Sequence, residues 1–271
     1  MKLATWNINS IKVRLPRVVE WLARVEPDVV LLQEIKSVEE NFPVAAIAAA
    51  GYQTVVHGQK TYNGVAILVR NGIDFTPRQR GLPGDNTDEQ ARYLEITTGG
   101  EHGPLVVGNL YLPNGNPVLD DGQLSAKFHY KLAWMDRLIR HASALLADGV
   151  PCVLGGDYNI IPAPEDCWDI TAWAGDALYH PESLAKFRTL ANLGFQDAFR
   201  LLDDRHGQYS FWDYQKGRWQ SDQGVRIDHF MLSPGAADRL SGCHIDRWPR
   251  GRERASDHTA VVLELAPAAV A

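Results

Sequence analysis

The sequence predicts an α/β sandwich, in which sheets pack on each other and helices cover their outer faces. Three observations lead there. Nine short strand-like runs recur along the chain, several of them continuous apolar segments of the kind buried on both faces. Amphipathic helices are few by comparison, and consecutive strands are joined by short turns such as the Asn-Gly pair at 63–64. No composition break, linker or low-complexity tract interrupts the alternation, so residues 1–271 read as one domain.

The strand runs are, in order, KLATWNI, DVVLLQ, YQTVV, GVAILVR, RYLEIT, LVVGNLY, PCVLGG, RIDHFML and TAVVLEL. A helix is expected from about Leu15 to Arg24, with Pro16 in its first turn and Pro27 beyond its end. A longer one follows the sixth strand, where Phe128, Leu132, Met135, Ile139, Ala142 and Leu146 mark one face at spacings of three and four. Lys127, Lys131, Arg137 and Arg140 lie elsewhere around it. A doubly wound dinucleotide fold is excluded. No GxGxxG opens a helix, and neither a GxxxxGK[ST] phosphate loop nor an HExxH zinc pair is present.

The chain is 45% hydrophobic and 22% charged, the composition of an ordinary globular protein. Cys152, Cys167 and Cys243 are too few and too irregular for a disulfide framework or thiolate metal site, and read as packing residues in a reducing compartment. The N-terminus enters KLATW directly, and nowhere do 18 apolar residues run together, so a cytoplasmic protein without a membrane partner is expected. A net charge of −6 argues against wholesale coating of nucleic acid, leaving local distribution to decide. RWPRGRER gathers Arg247, Arg250, Arg252 and Arg254 around Trp248 directly before ASDH. That run is either a solvated loop or a phosphate-facing cluster.

Polar side chains collect where the apolar runs end. In GGDYNI, Asp157 and Asn159 are expected on one face of an extended chain with Tyr158 pointing away, and Asn7 and Asn9 in TWNIN repeat the arrangement. Glu34 follows DVVLLQ, and LVVGNLYLPN puts Tyr111 and Asn114 in a similar place. Each alone is equally a turn former or a helix cap. Together, carboxylates and amides suit a hard divalent cation such as Mg2+. Asp228 lies inside an apolar strand and needs a partner. If His258 supplies it, the imidazole is oriented and its cationic form favoured, which suits a group that grips phosphate. A structural Asp228 and a capping Asp257 are the alternative.

The ordered set TWNINSI, LLQEIK, NLYLPNG, GGDYNI, YSFWDY, VRIDHFMLS and SDHTAVV, spanning residues 5 to 263, resembles the exonuclease III family of abasic-site endonucleases. That family belongs to the endonuclease/exonuclease/phosphatase superfamily, which includes deoxyribonuclease I. The resemblance implies a four-layered α/β sandwich with two packed mixed sheets. It also implies a Mg2+-dependent nuclease, with Mn2+ as a substitute, that cleaves duplex DNA 5' to abasic sites and removes blocked 3' ends. It carries 3'–5' exonuclease and 3' phosphodiesterase or phosphatase activity, and acts as a monomer. A chain that is mainly a 3'–5' exonuclease, with weak abasic-site activity, is the alternative.

By the same resemblance, Glu34 is the principal metal ligand, with Asn7, Asp257 and Asn9 nearby. Asp157 positions or deprotonates the attacking water, and Asn159 bonds that water or the developing phosphorane. Tyr111 contacts the scissile phosphate, and His258, paired with Asp228, binds its non-bridging oxygen. Asp157, Asn159 and His258 also serve as ligands of a second or displaced metal in alternative readings. Asn114 is a substrate contact. Phe211, Trp212 and Trp219 would wall a pocket for an extruded abasic deoxyribose, which is cheap to flip because it has no base to unstack. Aromatics in strand pairs are as readily core residues. Arg250, Arg252 and Arg254 become candidates for a phosphate clamp.

One segment departs from the pattern. After YLPNGN comes PVLDDGQLSAKF, whose Asp120 and Asp121 are poorly suited to lie along a DNA backbone. Two other function classes are weaker. A lipid or inositol phosphatase would need a lipid-facing patch, and a catalytically dead binding module would have lost some of Glu34, Asp157, Asn159, Asp228 or His258.

Overall fold

The apolar runs are continuous because the central strands have a hydrophobic layer on each side. The computed structural model describes residues 1–99 and 103–268. In chain order the elements are β1 (Lys2–Asn7), α1 (Ile11–Val25), β2 (Val29–Gln33), α2 (Val44–Ala49), β3 (Tyr52–His57), β4 (Val65–Arg70), β5 (Phe75–Arg80), β6 (Tyr93–Thr98) and β7 (Leu105–Tyr111). There follow β8 (Leu119–Asp120), β9 (Gln123–Leu124), α3 (Ala126–Ala147), β10 (Cys152–Asp157), α4 (Pro181–Asn192), β11 (Gln196–Asp197), β12 (Asp228–Leu232), α5 (Pro234–Ala237), β13 (Leu240–Asp246) and β14 (Ala260–Leu265). Two six-stranded mixed sheets form, ordered β13-β14-β1-β2-β4-β3 and β11-β12-β10-β7-β6-β5, and β8 pairs with β9 as a separate hairpin.

Side-chain alternation sorts the core into three seams. From β2, Val29 and Leu31 point at the second sheet and meet the layer of Val107, Val153 and Phe230. Val30 and Leu32 point outward to the layer of Trp6, Val18, Trp21 and Leu22 beneath α1. Beyond the second sheet, Tyr93, Leu110 and Leu154 meet Trp134 and Leu138 of α3 and Phe187 of α4. Helix, sheet, sheet and helix make the four layers expected. Each large side chain buried this way contributes about 1.5–3 kcal/mol.

Several expectations need correction. Helix α1 begins at Ile11, so Pro16 sits in its interior and leaves the Lys12 carbonyl without its usual helical donor. The start was obscured because the capping position, Ser10, makes no side-chain cap and the first turn carries no acid. Asn63 and Gly64 both take positive φ, but they close a longer loop, residues 58–64, between β3 and β4. Strands β5 and β13 carry no unbroken apolar run, because each is the edge of its sheet and only partly buried. In α3, Lys131 and Arg137 are buried, Arg137 against Asp88 at 2.6 Å and the Pro83 carbonyl at 3.1 Å. Among the described residues no helix is long and apolar enough to cross a membrane.

Strand direction sets the position of the site. β1 and β2 run parallel, as do β7 and β10, so Asn7, Gln33, Tyr111 and Asp157 all end strands. β12 and β14 run antiparallel to these neighbours and set out from the same rim, at Asp228 and just beyond His258. A buried polar clasp aligns the two sheets beneath it. Gln33 Nε2 donates to Asn109 Oδ1 at 2.8 Å, and Asn109 Nδ2 donates across to the carbonyls of Leu32 at 3.0 Å and Ala66 at 2.8 Å.

Candidate active site

The exits of β1 and β10 use one device. Asn7 Oδ1 accepts the backbone N–H of Asn9 at 3.1 Å, and Asp157 Oδ1 accepts that of Asn159 at 2.9 Å. Asn9, Asn159 and Glu34 all take left-handed φ, at 45°, 47° and 49°. Such a conformation costs a non-glycine residue roughly 1–2 kcal/mol, less for asparagine, so the folded core holds the polar rim in place. A side-chain turn, not alternation along an extended strand, therefore brings Asn159 back beside Asp157. Tyr158 does point away and donates to the Leu154 carbonyl at 2.9 Å. The glycines before Asp157 admit close packing: a Cβ on Gly156 would lie 1.9 Å from the Leu110 carbonyl oxygen.

The rim side chains form one connected network. Asn7 Nδ2 donates to Glu34 Oε1 and to Asp157 Oδ2, both at 2.9 Å, and so links the two sheets. Tyr111 OH also donates to Glu34 Oε1, at 2.9 Å. Lys36 Nζ lies 2.8 Å from Glu34 Oε2 and 2.6 Å from Asn9 Oδ1, while Asn9 Nδ2 donates to Asp257 Oδ1 at 3.0 Å. His258 Nδ1 is 2.9 Å from Asp228 Oδ2, which also accepts from Ser210 Oγ at 2.6 Å. The other imidazole nitrogen, Nε2, is 3.8 Å from Asp157 Oδ2. Asn159 is pinned through its side chain, Nδ2 donating to the Leu112 carbonyl at 2.9 Å and Oδ1 accepting from Asn114 Nδ2 at 3.1 Å. Asp157, Asp228 and His258 bring ligand-type atoms within 4.8 Å of one another, an acidic cluster of the kind that can hold a metal ion.

Burial and charge set the protons. Burial raises the Asp157 carboxyl to about 7, with the opposing pull of His258 outweighed and Asp228 pushing further up. Burial alone would lower His258, but the charges of Asp228 and Asp157 dominate and lift it to about 10. The imidazole is therefore cationic at neutral pH. Burial would raise Glu34 too, yet hydrogen bonds from Asn7 and Lys36, with the Lys36 charge, hold it below the usual carboxylate range. Burial, then the charges of Glu34 and Asp157, keep Tyr111 well above 10 and hence a neutral donor.

Residues 4–258 match the Endonuclease/Exonuclease/phosphatase family. The chain belongs to that family. It is 30% identical to the exodeoxyribonuclease III of Haemophilus influenzae, over 97% of this chain and 99% of that protein. Its fold matches the 3' phosphatase NExo from Neisseria bound to product DNA hairpin with a TM-score of 0.90, at 37% identity over 98% and 99% of the two chains. An AP endonuclease from Archaeoglobus fulgidus matches at 0.88, with 31% identity over 98% and 99%. The chain is thus a nuclease of the exonuclease III type, a hydrolase of phosphodiester bonds.

In this family member the rim opens into a cavity of about 390 Å³. Glu34, Tyr111, Asn114, Asp157, Asn159, Asp257 and His258 line it. Asn7 and Asp228 stand behind, hydrogen-bonded to the lining residues. Of the expected aromatic wall only Phe211 lines the cavity, 4.8 Å from the His258 ring. Trp212 is fully buried, because its indole turns inward to meet Trp219 edge-on at 4.8 Å. Trp168, Trp173 and Leu178 also line the cavity and share one apolar cluster with Phe211, with Arg218 stacked over Trp168 at 4.7 Å. Nothing in their local sequence marked them, since the loop of residues 167–178 has neither strand period nor motif.

The arginine run is also largely turned away. Arg250 is buried, donating to the Trp212 carbonyl at 3.1 Å and packing over Trp219 and Tyr214, so its guanidinium is not presented to a phosphate. Arg247 lies over Trp212 and Trp219 and pairs with Asp222 at 2.6 Å. Arg252 stacks on Trp248 at 4.2 Å, and neither it nor Arg254, both exposed, lines the cavity. Asp120 and Asp121 are exposed on the β8–β9 hairpin, whose flanks Val118 and Leu124 pack against Phe128 and Leu132.

Proposed function

We propose that this nuclease is a Mg2+-dependent DNA repair enzyme that incises duplex DNA 5' to abasic sites and trims or dephosphorylates 3' ends, acting as a monomer in the cytoplasm. One observation carries the reading: a carboxyl poised at about 7, Asp157, lies 3.8 Å from a cationic imidazole on the floor of an aromatic-walled cavity. A base is most effective when its pKa lies near the working pH, and a fixed cation suits the charge that gathers on a phosphorane.

Each residue then has a distinct task. Asp157 Oδ2 takes the proton of the attacking water, whose oxygen bonds to phosphorus as the P–O3' bond breaks, and the leaving 3' oxygen takes up a proton from solvent. Asn159 Nδ2 keeps one N–H beyond its bond to Leu112 and directs it at that water or a phosphorane oxygen. His258, held by Asp228 through Nδ1, donates from Nε2 to a non-bridging oxygen. Tyr111, whose single hydroxyl proton lies on Glu34 Oε1, donates to the same phosphate by turning that proton from the carboxylate to the phosphate oxygen. Phe211, Trp168 and Trp173 enclose the deoxyribose of a flipped abasic nucleotide and exclude water from it.

The carboxylate oxygens of Glu34 and Asp257 fit a hard divalent cation, and the Lys36 ammonium between Glu34 and Asn9 marks where positive charge is accommodated. Asn7 turns Nδ2 to Glu34 and its oxygen to the Asn9 N–H, so it would join them as a ligand only with its amide turned over. The cluster of Asp157, Asp228 and His258 fits less well, because an imidazole that keeps its proton to about 10 is a poor ligand. When bound, Mg2+ supplies Lewis-acid stabilisation of phosphate charge and Mn2+ substitutes.

The test is cleavage of a labelled duplex carrying one tetrahydrofuran abasic analogue, with Mg2+ or EDTA, by the wild type and Asp157→Ala. Incision 5' to the analogue that needs both metal and Asp157, falling by about 10²–10⁴-fold in the variant, is expected. Intact analogue strands with steady loss of 3' nucleotides would replace the endonuclease reading with a mainly exonucleolytic one.

A further inference from the structure

Lys131, near the start of α3, is fully buried, yet among the described residues its Nζ pairs with no carboxylate. It donates to two backbone carbonyls, Asn114 at 3.0 Å and Asn159 at 2.7 Å. These residues are themselves joined side chain to side chain. Lysine and amide pair thus close a ring that ties the end of β7 to the end of β10 beneath the cavity. Gly115 makes room for it: at φ 89° it turns the chain, and a Cβ there would sit 2.6 Å from Lys131 Cδ.

Burying an unpaired ammonium costs several kcal/mol, so the fold gains little stability from this choice of residue. What it gains is geometry. Asn159 lies in a left-handed turn with its N–H on Asp157 Oδ1, and Lys131 grips the same residue by its carbonyl. Both ends of the Asn159 backbone are then fixed. We propose that Lys131 is a positioning residue for phosphodiester hydrolysis, acting through Asn159 by holding that turn and thereby aiming the Asn159 amide at the ground Asp157 covers. The inference rests on the role given to Asn159 above. Two N–H groups suffice for the grip, so it does not depend on the charge state of the amine.

The experiment is a double-mutant cycle of Lys131→Met, which keeps the length of the arm and removes both donors, with Asn159→Ala. Turnover is measured on the tetrahydrofuran duplex and on a 3'-recessed duplex, and DNA affinity in EDTA. Lys131→Met alone is expected to lower kcat by about 10- to 100-fold with KM and Kd within about twofold, and to cost less than about twofold further in the Asn159→Ala background. Equal losses in both backgrounds, or a loss confined to KM and Kd, overturn the proposal. If Asn159→Ala is impaired and Lys131→Met is not, the positioning role alone falls. If Asn159→Ala turns over normally, the role given to Asn159 falls and takes this one with it. Should Lys131→Met not fold, Lys131→Gln, with an amide N–H₂ on a shorter arm, enters the same cycle, with a smaller kcat loss that again vanishes when Asn159 is alanine.

Discussion

Asp157 and His258 hold protons for opposite reasons, the first because burial disfavours its anion and the second because buried anions surround it. Both are raised in the folded state, so both favour folding at low pH. His258 contributes fully below about 6.5, its ordinary value, and loses that contribution as pH rises toward and through about 10. Asp157 has the same sign in a lower window, from 3.8 to about 7. In urea denaturation of the EDTA-treated protein, the stability of the wild type relative to His258→Gln should therefore fall between pH 7 and 9.5, by up to about 1.4 kcal/mol per pH unit. The difference is the quantity to read, because Lys131, lowered by burial to about 7, contributes with the opposite sign over the same range. A difference that does not change with pH would remove His258 as its source. At this scale the residue types were legible, because carboxylates and amides ended apolar runs. Their left-handed turns were not, since Glu34 carries no turn signal and only the fold enforces its φ of 49°.

Among the elements, the loop through Phe211 and Trp212 shows what sequence leaves open. Adjacent aromatics there face opposite ways, one into the cavity and one into packing under Arg247 and Trp219. Trp212→Ala should destabilise the protein by about 3–5 kcal/mol, read as a lower urea midpoint. Trp173, half-buried at the cavity wall, should behave differently. Trp173→Ala should change stability by less than about 1 kcal/mol and raise KM for the abasic duplex several-fold, and an unchanged KM would remove it from the substrate wall. Central strands announced themselves because two apolar layers demand unbroken hydrophobic runs. Edge strands β5 and β13 did not, nor did the fate of the arginines, which depends on which rings lie within reach after folding.

For the whole molecule, the site spans a seam. Asn7 and Glu34 belong to one sheet, Tyr111, Asp157 and Asp228 to the other, and their spacing depends on how the sheets register. The Gln33–Asn109 clasp fixes that register from within. Asn109→Leu would remove the link from Gln33 to the second sheet, leaving its amide on Thr5 and the Leu31 carbonyl, and would take a buried donor from the carbonyls of Leu32 and Ala66. A loss of about 2–5 kcal/mol in urea unfolding, with a fall in kcat at temperatures where the variant is still folded, is expected. Retained kcat would show that packing alone sets the register. The ordered exits of the strands were readable in the sequence, and the four layers with them. The clasp was not, because Gln33 and Asn109 lie 76 positions apart in chains of otherwise apolar residues.

β1 lies between β2 and β14, so segments far apart in sequence become neighbours in the sheet. Ser256 Oγ donates to the Asn7 carbonyl at 2.7 Å, which joins the turn carrying Asp257 and His258 to the exit of β1. The cation ligands and the imidazolium therefore come into register only when β14 has docked on β1, and the same pairing that closes the first sheet also assembles the site.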